Sequence, residues 1–323
     1  MLTRGSYLKA TAWGATAERA ARRGSQPAVL TRGSYLKATA WEATAERAVR
    51  RGVLRNRIGT IEVKYLKIIR RIIFIIALIV FIGSGIYLGK YFYDRHVSSQ
   101  NMDAVKSLLV TEAEDESADL PARTQDDILV RYSQLYEQNT DMAGWITIEG
   151  TNIDYPVMYI QGDNETYLHS NFNKEYDAGG VPFIDGNNIL DPRDDNLVIY
   201  GHNMNDKSMF QNLMNYKEYS FYEEHPVIQF DTIKELGSYD IAAVILAKAS
   251  APGDEGFHYD HSYSFDSEEA FQEYWRNIQA LSLYDTGITP EYGDQLITLS
   301  TCEYSQEDGR LAVIAVKRDA TSK

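Results

Sequence analysis

The sequence predicts a mostly β domain with short helices, preceded by N-terminal helical segments and a single long apolar helix. Three observations carry that prediction. Eight short β-rich runs follow one another beyond residue 140, an uncharged stretch of 18 residues lies ahead of them, and the net charge changes sign between the two regions. At 323 residues the chain has room for one or two domains plus appendages.

Of the 32 basic residues, 16 lie in Met1–Arg71 together with only 4 of the 46 acidic ones, so the head carries about +12 and the remainder about −26. Such an asymmetry argues for two environments. The acidic body repels phosphates, which excludes nucleic acid as a partner. Residues 1–60 hold a duplication: Leu2–Gly24 recurs as Leu30–Gly52, differing only at Gly14/Glu42 and Ala21/Val49. Two copies are too few for a solenoid, which needs three or more units to bury a continuous face. A basic helix at a membrane surface and translated upstream sequence ahead of a later start both fit this segment. Residues 61–71 form a short basic flank.

Residues 72–89 contain no charge and are rich in Ile, Leu, Phe and Val. As a helix they span about 27 Å, one bilayer hydrocarbon core. Lys64, Lys67, Arg70 and Arg71 precede the run and Lys90 and Arg95 follow it, so the basic bias places the amino end in the cytoplasm and the acidic body outside the cell. The run exceeds the about 7 to 15 apolar residues of a cleavable signal peptide and lacks a small-residue cleavage site, which favours a single-pass transmembrane anchor. Residues 90–125 are polar and acidic and read as a stalk, with one apolar patch at Val105, Leu108 and Leu109.

The body, residues 126–323, opens with Ile128, Leu129, Tyr132 and Leu135 at helical spacing. The β-rich runs are Trp145–Ile148, Ile153–Met158, Val181–Ile184, Leu197–Tyr200, Val227–Phe230, Tyr239–Leu246, Gln295–Thr301 and Leu311–Val316. Gly, Asn and Asp turns separate them, the pattern of a closed barrel or a sandwich. Two helical inserts are expected. One lies around Met209–Tyr216, and Asp266 with Glu269 announces the other as a capping box ahead of Phe271, Tyr274, Trp275 and Ile278.

Cys302 is the lone cysteine, so it staples no intrachain disulfide. A lone cysteine is more often an inert, buried side chain than a reactive one, and its neighbours decide. Along Gln295–Cys302, alternation puts Ile297, Leu299 and Thr301 on one face and Leu296, Thr298, Ser300 and Cys302 on the other. The thiol thus ends a strand on its more polar face. Glu303–Gly309 is a polar connection of seven residues to the next strand. If the two strands form a hairpin, Arg310 returns opposite Cys302. A thiol needs a base or a positive neighbour to become a useful nucleophile. His202, just past the strand Leu197–Tyr200, is the candidate. A capping histidine and a solvated strand-end arginine are the ordinary readings of His202 and Arg310 taken singly. With a cysteine at a third strand end, they read together as a nucleophilic site.

Ile297-Thr-Leu-Ser-Thr-Cys302-Glu-Tyr304, followed by Gly309-Arg310, resembles the TLxTC…R signature of sortases, in the form found in class B. Val198-Ile-Tyr-Gly-His202-Asn203 is similar to the histidine strand of that family. Gly144–Ile146, Asn152–Val157, Asn164–Leu168 and Gly180–Asp185 resemble class B in order and spacing, and the likeness covers about residues 126–318. It implies an eight-stranded sortase-type β-barrel with no cofactor. Cys302 would be the nucleophile toward a Thr carbonyl in an LPxTG-like or NPxTN-like sorting motif of a secreted protein. His202 would be the acid and base, and Arg310 would hold the motif and stabilise the oxyanion. The acceptor would be an amine of a peptidoglycan precursor or a pilin. By position, Asn164, Leu168, Tyr200, Ser300 and Glu303 match substrate-groove residues of class B, and the connection Ala247–Tyr292 matches the loop that shapes motif choice.

Other cysteine chemistries fit less well. In papain-like and NlpC-type peptidoglycan hydrolases the cysteine opens a helix, whereas Cys302 ends a strand. L,D-transpeptidases carry an S-H-G-C-like run, which is absent here. A plain extracellular cysteine endopeptidase remains as an alternative, and so does a non-catalytic surface module, although the latter is expected to lose one of the three residues. His258 and His261, near Asp254, Glu255 and Asp260, lie in a polar loop without a firm scaffold, so no metal site is expected.

Overall fold

The computed structural model describes residues 32–109, 122–249, 257–305 and 308–318. Two compact units divide between Tyr87 and Leu88. Helix α1 (Arg32–Ser107) begins in the first and ends in the second. Its segment Val63–Ser107 is long and apolar enough to cross a membrane, and none of the apolar window is buried in protein. The first copy of the duplication lies outside the described residues, as does most of the segment that follows α1. In the second unit the last turns of α1 are anchored by side chains. Arg95 pairs with Asp177, Lys106 reaches Asp154 at 2.8 Å, and Val105 is buried with Leu129, Tyr132 and Trp145.

The second unit is an eight-stranded barrel. Its strands are β1 (Met142–Thr147), β2 (Asp154–Met158), β3 (Phe183–Ile184), β4 (Asn196–Tyr200), β5 (Val227–Thr232), β6 (Ser238–Lys248), β7 (Leu296–Cys302) and β8 (Gly309–Lys317). They close in the order β1-β2-β3-β4-β7-β8-β6-β5. Closure removes the unpaired edges that an open sheet of this size would expose. All eight predicted strands are present, with ends shifted by a few residues.

Strand alternation decides what each face buries. Ile297 and Leu299 of β7 point into the barrel with Ile146, Val157, Ile199, Phe230, Ile241 and Val313. Each such side chain contributes about 1.5–3 kcal/mol when fully buried. Leu296 of β7 and Ala312 and Ile314 of β8 face outward, where Phe271, Tyr274, Trp275 and Ile278 of a covering helix seal them. That helix runs Glu268–Leu281, and its cap is Ser267, whose hydroxyl accepts from the Ala270 amide at 3.2 Å. The expected cap, Asp266, sits one residue too early to reach the third amide of the helix.

Two other helical expectations shift in kind. Leu129 is extended, and its amide donates to Ile233, so the apolar segment after residue 126 turns helical only at Val130. Phe210–Lys217 is a 3₁₀ helix rather than an α-helix, and it buries Phe210, Leu213 and Tyr216 under one end of the barrel.

Candidate active site

β7 and β8 pair antiparallel, and Cys302 and Arg310 are direct partners across the ladder. Directly opposed residues project to the same face with their Cβ atoms about 4.5–5.5 Å apart. Alternation from Leu296 through Thr298 and Ser300 makes that the outer face. Both side chains are partly exposed, and the Arg310 guanidinium donates to the Gly309 carbonyl at 3.0 Å. The hairpin read from the sequence therefore forms in the expected register.

His202 arrives from β4, which pairs parallel to β7 with Tyr200 beside Ser300. Past the last pair, three bonds extend the alignment. The Gly201 amide donates to the Ser300 carbonyl at 3.1 Å, the Thr301 hydroxyl donates to the Gly201 carbonyl at 2.7 Å, and the Asn203 amide group donates to the Cys302 carbonyl at 2.8 Å. The backbone of residues 201–203 is thereby fixed alongside Thr301 and Cys302. A Cβ at Gly201 would come within 2.5 Å of the Phe210 ring, so only glycine lets the 3₁₀ helix pack under this turn.

The imidazole of His202 is oriented by its surroundings. Nε2 lies 2.8 Å from the Leu168 carbonyl oxygen, and the ring stacks on His169 with centroids 6.0 Å apart. A carbonyl only accepts, so Nε2 carries a hydrogen and Nδ1 is the nitrogen left to exchange a proton.

Asn164, Tyr200 and Ser300 belong to one polar cluster on the same outer face. Ser300 shares a hydrogen bond of 2.8 Å with the buried Tyr259 hydroxyl. Asp185, only 2% exposed, takes the Tyr200 hydroxyl at 3.0 Å and the Tyr263 hydroxyl at 3.1 Å on Oδ2. On Oδ1 it takes the Asn164 side chain at 3.1 Å and the Asn187 amide and side chain at 2.9 Å. Burial pushes the Tyr200 phenol far above its ordinary value, and the Asp185 and Asp260 carboxylates add to the rise. Tyr263 is raised by burial and by Asp185. Both remain protonated donors to Asp185.

Leu168 and Glu303 stand differently from the other groove candidates. Leu168 meets His202 through its backbone carbonyl, while its side chain packs with the cluster around Tyr167 and Phe172. The Glu303 carboxylate is 3% exposed and is occupied by Lys217 at 2.6 Å and by the amide and hydroxyl of Ser305. Lys217 and Ser305 hold the Glu303 carboxyl below the ordinary carboxylate range. The chain after Cys302 is thus tied to the 3₁₀ helix.

Sequence reasoning did not single out Asp185, Asn203, Tyr259 or Tyr263 as individual site residues. Asp185 follows a two-residue strand and reads locally as a turn residue, and its five donors are gathered from four chain segments. In the far loop His258 and His261 face each other with ring centroids 5.5 Å apart. Asp254 and Glu255 lie outside the described residues, and among those described no group of three or more His, Cys, Asp or Glu is arranged to hold a metal.

A sortase domain model matches residues 146–318. The chain is 30% identical over 241 residues to sortase B of Listeria monocytogenes, covering 74% of this chain and 92% of that protein. It is 32% identical over 199 residues to sortase B of Staphylococcus aureus, covering 61% of this chain and 78% of that one. Among solved structures, sortase B of Bacillus anthracis in complex with AAEK1 aligns with a TM-score of 0.59 at 27% identity, over 70% of this chain and 98% of that one. The Staphylococcus aureus sortase B–substrate complex aligns with a TM-score of 0.58 at 25% identity, over 71% and 98%. The family match spans more than half of the sequence and the barrel is that of the solved relatives, so this chain belongs to the sortase family of cysteine transpeptidases, in class B.

Proposed function

We propose that this sortase is a membrane-anchored enzyme whose catalytic residues are Cys302, His202 and Arg310. It cleaves a sorting motif near the carboxyl end of secreted proteins after Thr and joins the new end to an amine. The observation that carries this reading is the placement of Cys302 directly opposite Arg310, with the His202 backbone held beside it by the β4–β7 ladder.

The chemistry follows from those groups. The Cys302 thiol adds to the Thr carbonyl, its proton passing to His202, and the Arg310 guanidinium stabilises the oxyanion that forms. Collapse breaks the C–N bond, His202 returns the proton to the leaving amine, and a thioester remains on Cys302. An incoming amine then attacks the thioester and gives a proton to His202, the C–S bond breaks as the new amide forms, and His202 passes that proton to the departing thiolate. With Nε2 committed to Leu168, Nδ1 is the atom that carries this proton. Asn164, Tyr200 and Ser300 line the peptide-binding groove, Leu168 borders it, and Glu303 sets the position of the loop after Cys302.

The donors are proteins bearing LPxTG-like or NPxTN-like motifs, and the acceptor is an amine of a peptidoglycan precursor or a pilin. Residues 72–89 anchor the chain once in the membrane, with the catalytic unit on the extracellular face. The exposed apolar window of α1 supports this reading, because bilayer is the solvent that such a helix requires. In the test, full-length protein in detergent is incubated with peptides of both motif types and the mass added to Cys302 is read. An acyl adduct is expected in the wild type and none in Cys302→Ala. An adduct that persists in Cys302→Ala would overturn the assignment.

A further inference from the structure

Two groups orient the His202 imidazole, the Leu168 carbonyl on Nε2 and the His169 ring stacked against it, and both belong to the loop between β2 and β3. A loop holds a catalytic group in place only if it is itself tied down. This one is tied by its returning arm. The Val181 amide donates to the Tyr167 carbonyl at 3.1 Å, the Asp177 amide to the His169 carbonyl at 3.0 Å, and the Gly180 amide to the Asp177 carbonyl at 3.0 Å. Gly180 has φ +55°, and a Cβ there would come within 2.4 Å of the Tyr167 carbonyl oxygen and 2.6 Å of the Leu168 one. The turn Asp177–Gly180 thus lies directly against the carbonyl that holds His202.

Arg95 of α1 braces that turn from the other side. Its guanidinium pairs with the Asp177 carboxylate, whose Oδ1 also takes the Gly179 amide at 2.8 Å. A Cβ at Gly179 would come within 2.7 Å of Nη1 of the same guanidinium, and Nη1 is 3.9 Å from the Asp206 carboxylate in the segment that follows His202. The Arg95 and Asp177 side chains are 11% and 8% exposed, so this is a desolvated pair and not a surface one. A guanidinium keeps its charge throughout the working range, and its fork can address two elements at once.

We propose that Arg95 is a positioning residue for His202: by bracing the turn Asp177–Gly180 against Leu168, it keeps the Leu168 carbonyl on Nε2 and so leaves Nδ1 as the nitrogen that exchanges a proton. No bond or proton changes hands at Arg95, and its effect passes through Asp177 and Leu168. The helix that leads out of the apolar segment therefore supports the reaction as well as the fold. Displacing a group that must meet its partner in one geometry by about 1 Å can cost about 10²-fold, so a brace of this kind carries weight in the chemical step. This inference rests on the proposed assignment of His202 as acid and base.

The test uses full-length protein in detergent with nitrogen-15 in its histidines, and the His202 signals are identified by their loss in His202→Ala. Above the imidazole titration range, the chemical shift of Nε2 reports whether that atom carries the hydrogen. The wild type is expected to hold Nε2 at the protonated end. In Arg95→Ala the shift is expected to move toward the unprotonated end as the ring samples the other tautomer. In the same variant kcat for acylation of Cys302 by a sorting peptide, counted per alkylatable thiol, is expected to fall about tenfold or more with KM little changed, because proton transfer is the step that suffers. Arg95→Lys, which keeps a charge beside Asp177, is expected to recover part of both. Asp177→Asn keeps an acceptor for the Gly179 amide but loses the charge that holds Arg95. It is expected to reproduce both changes, and it gives the reading should Arg95→Ala not fold. A merely structural Arg95 would lower the melting temperature while kcat per alkylatable thiol and the Nε2 shift stay at their wild-type values, and that result overturns the proposal. So does a wild-type Nε2 that carries no hydrogen. If no peptide acylates Cys302, the proposed function fails, and the Nε2 shift alone still decides whether Arg95 sets the tautomer.

Discussion

Cys302 and Arg310 are direct cross-strand partners in the last pair of the β7–β8 ladder before the connecting loop, so a thiol and a guanidinium reach the same side of the barrel from paired strands. Arg310 is also opposite Ala247 of β6, which makes its backbone an interior member of the sheet. A site carried on paired strands holds its geometry better than one carried on loops. The planar fork of Arg310 then matters more than its charge. Lysine keeps the charge but presents a single ammonium in place of a bidentate donor. Arg310→Lys is expected to lower kcat/KM by about 10²-fold, the loss typical of one oxyanion donor, with little change in melting temperature. Turnover close to wild type would mark Arg310 as a solvated strand-end residue.

His202 is expected to separate chemistry from thiol access. In His202→Ala the bonds of the Gly201 backbone and the Asn203 side chain to β7 remain, so Cys302 should stay in place and react with a small alkylating reagent. Transfer should fall by about 10²-fold or more, the contribution typical of a positioned acid and base. A mass measurement of alkylated Cys302, run beside the peptide assay, checks both halves. Loss of alkylation together with activity would point to a collapsed site instead.

The Lys217–Glu303 pair fastens the loop after Cys302 to the 3₁₀ helix. Glu303 is nearly buried and Lys217 about one-third exposed, so breaking the pair lies between the surface and buried limits, about 2 kcal/mol. Lys217→Met is expected to lower the unfolding free energy by that order, read as a fall in melting temperature of several degrees. The folded-state pKa of Glu303 is depressed below its unfolded value by Lys217 and Ser305. Its contribution is therefore complete above the ordinary carboxylate range and is lost as the pH falls through and below that range. The stability gap between wild type and Lys217→Met should close on acidification. A gap that widens toward acid would contradict the sign.

Topology gives an independent prediction. If residues 72–89 anchor the chain with its amino end inside, protease added to intact cells should trim the catalytic unit while the apolar helix stays in the membrane fraction. A catalytic unit that survives shaving but is degraded after lysis would place it in the cytoplasm.

The barrel is legible in the sequence because its strands alternate and its turns are marked by Gly, Asn and Asp, so each β-rich run falls on an observed strand. Ile297 and Leu299 against Leu296, Thr298 and Ser300 show that alternation in one strand. The Cys302–Arg310 pairing is legible for the same reason, since a short polar connection between two such runs leaves a hairpin as the natural arrangement. Residues whose roles are set by distant segments are not legible. Asp185 gathers donors from the loop before β3, from its own turn, from β4 and from the loop before the Glu268–Leu281 helix. Nothing within a few residues of it signals that convergence. The helix cap shows the limit at short range, where Asp266 and Ser267 are both good caps and only the backbone path decides for Ser267. Glu303 is a further case, because its position next to Cys302 suggests the groove while its carboxylate is held by Lys217.

The central claim is that a thioacyl bond at Cys302 is resolved by an amine. The most direct measurement supplies full-length protein with an acylating motif peptide and a graded concentration of an amine, either a short glycine peptide or diaminopimelate, and quantifies new amide and free acid. Transpeptidation predicts amide that rises with amine concentration at the expense of acid, an adduct on Cys302 in between, and neither product in Cys302→Ala. Free acid alone at every amine concentration, with the adduct still formed, would contradict it and describe a cysteine endopeptidase.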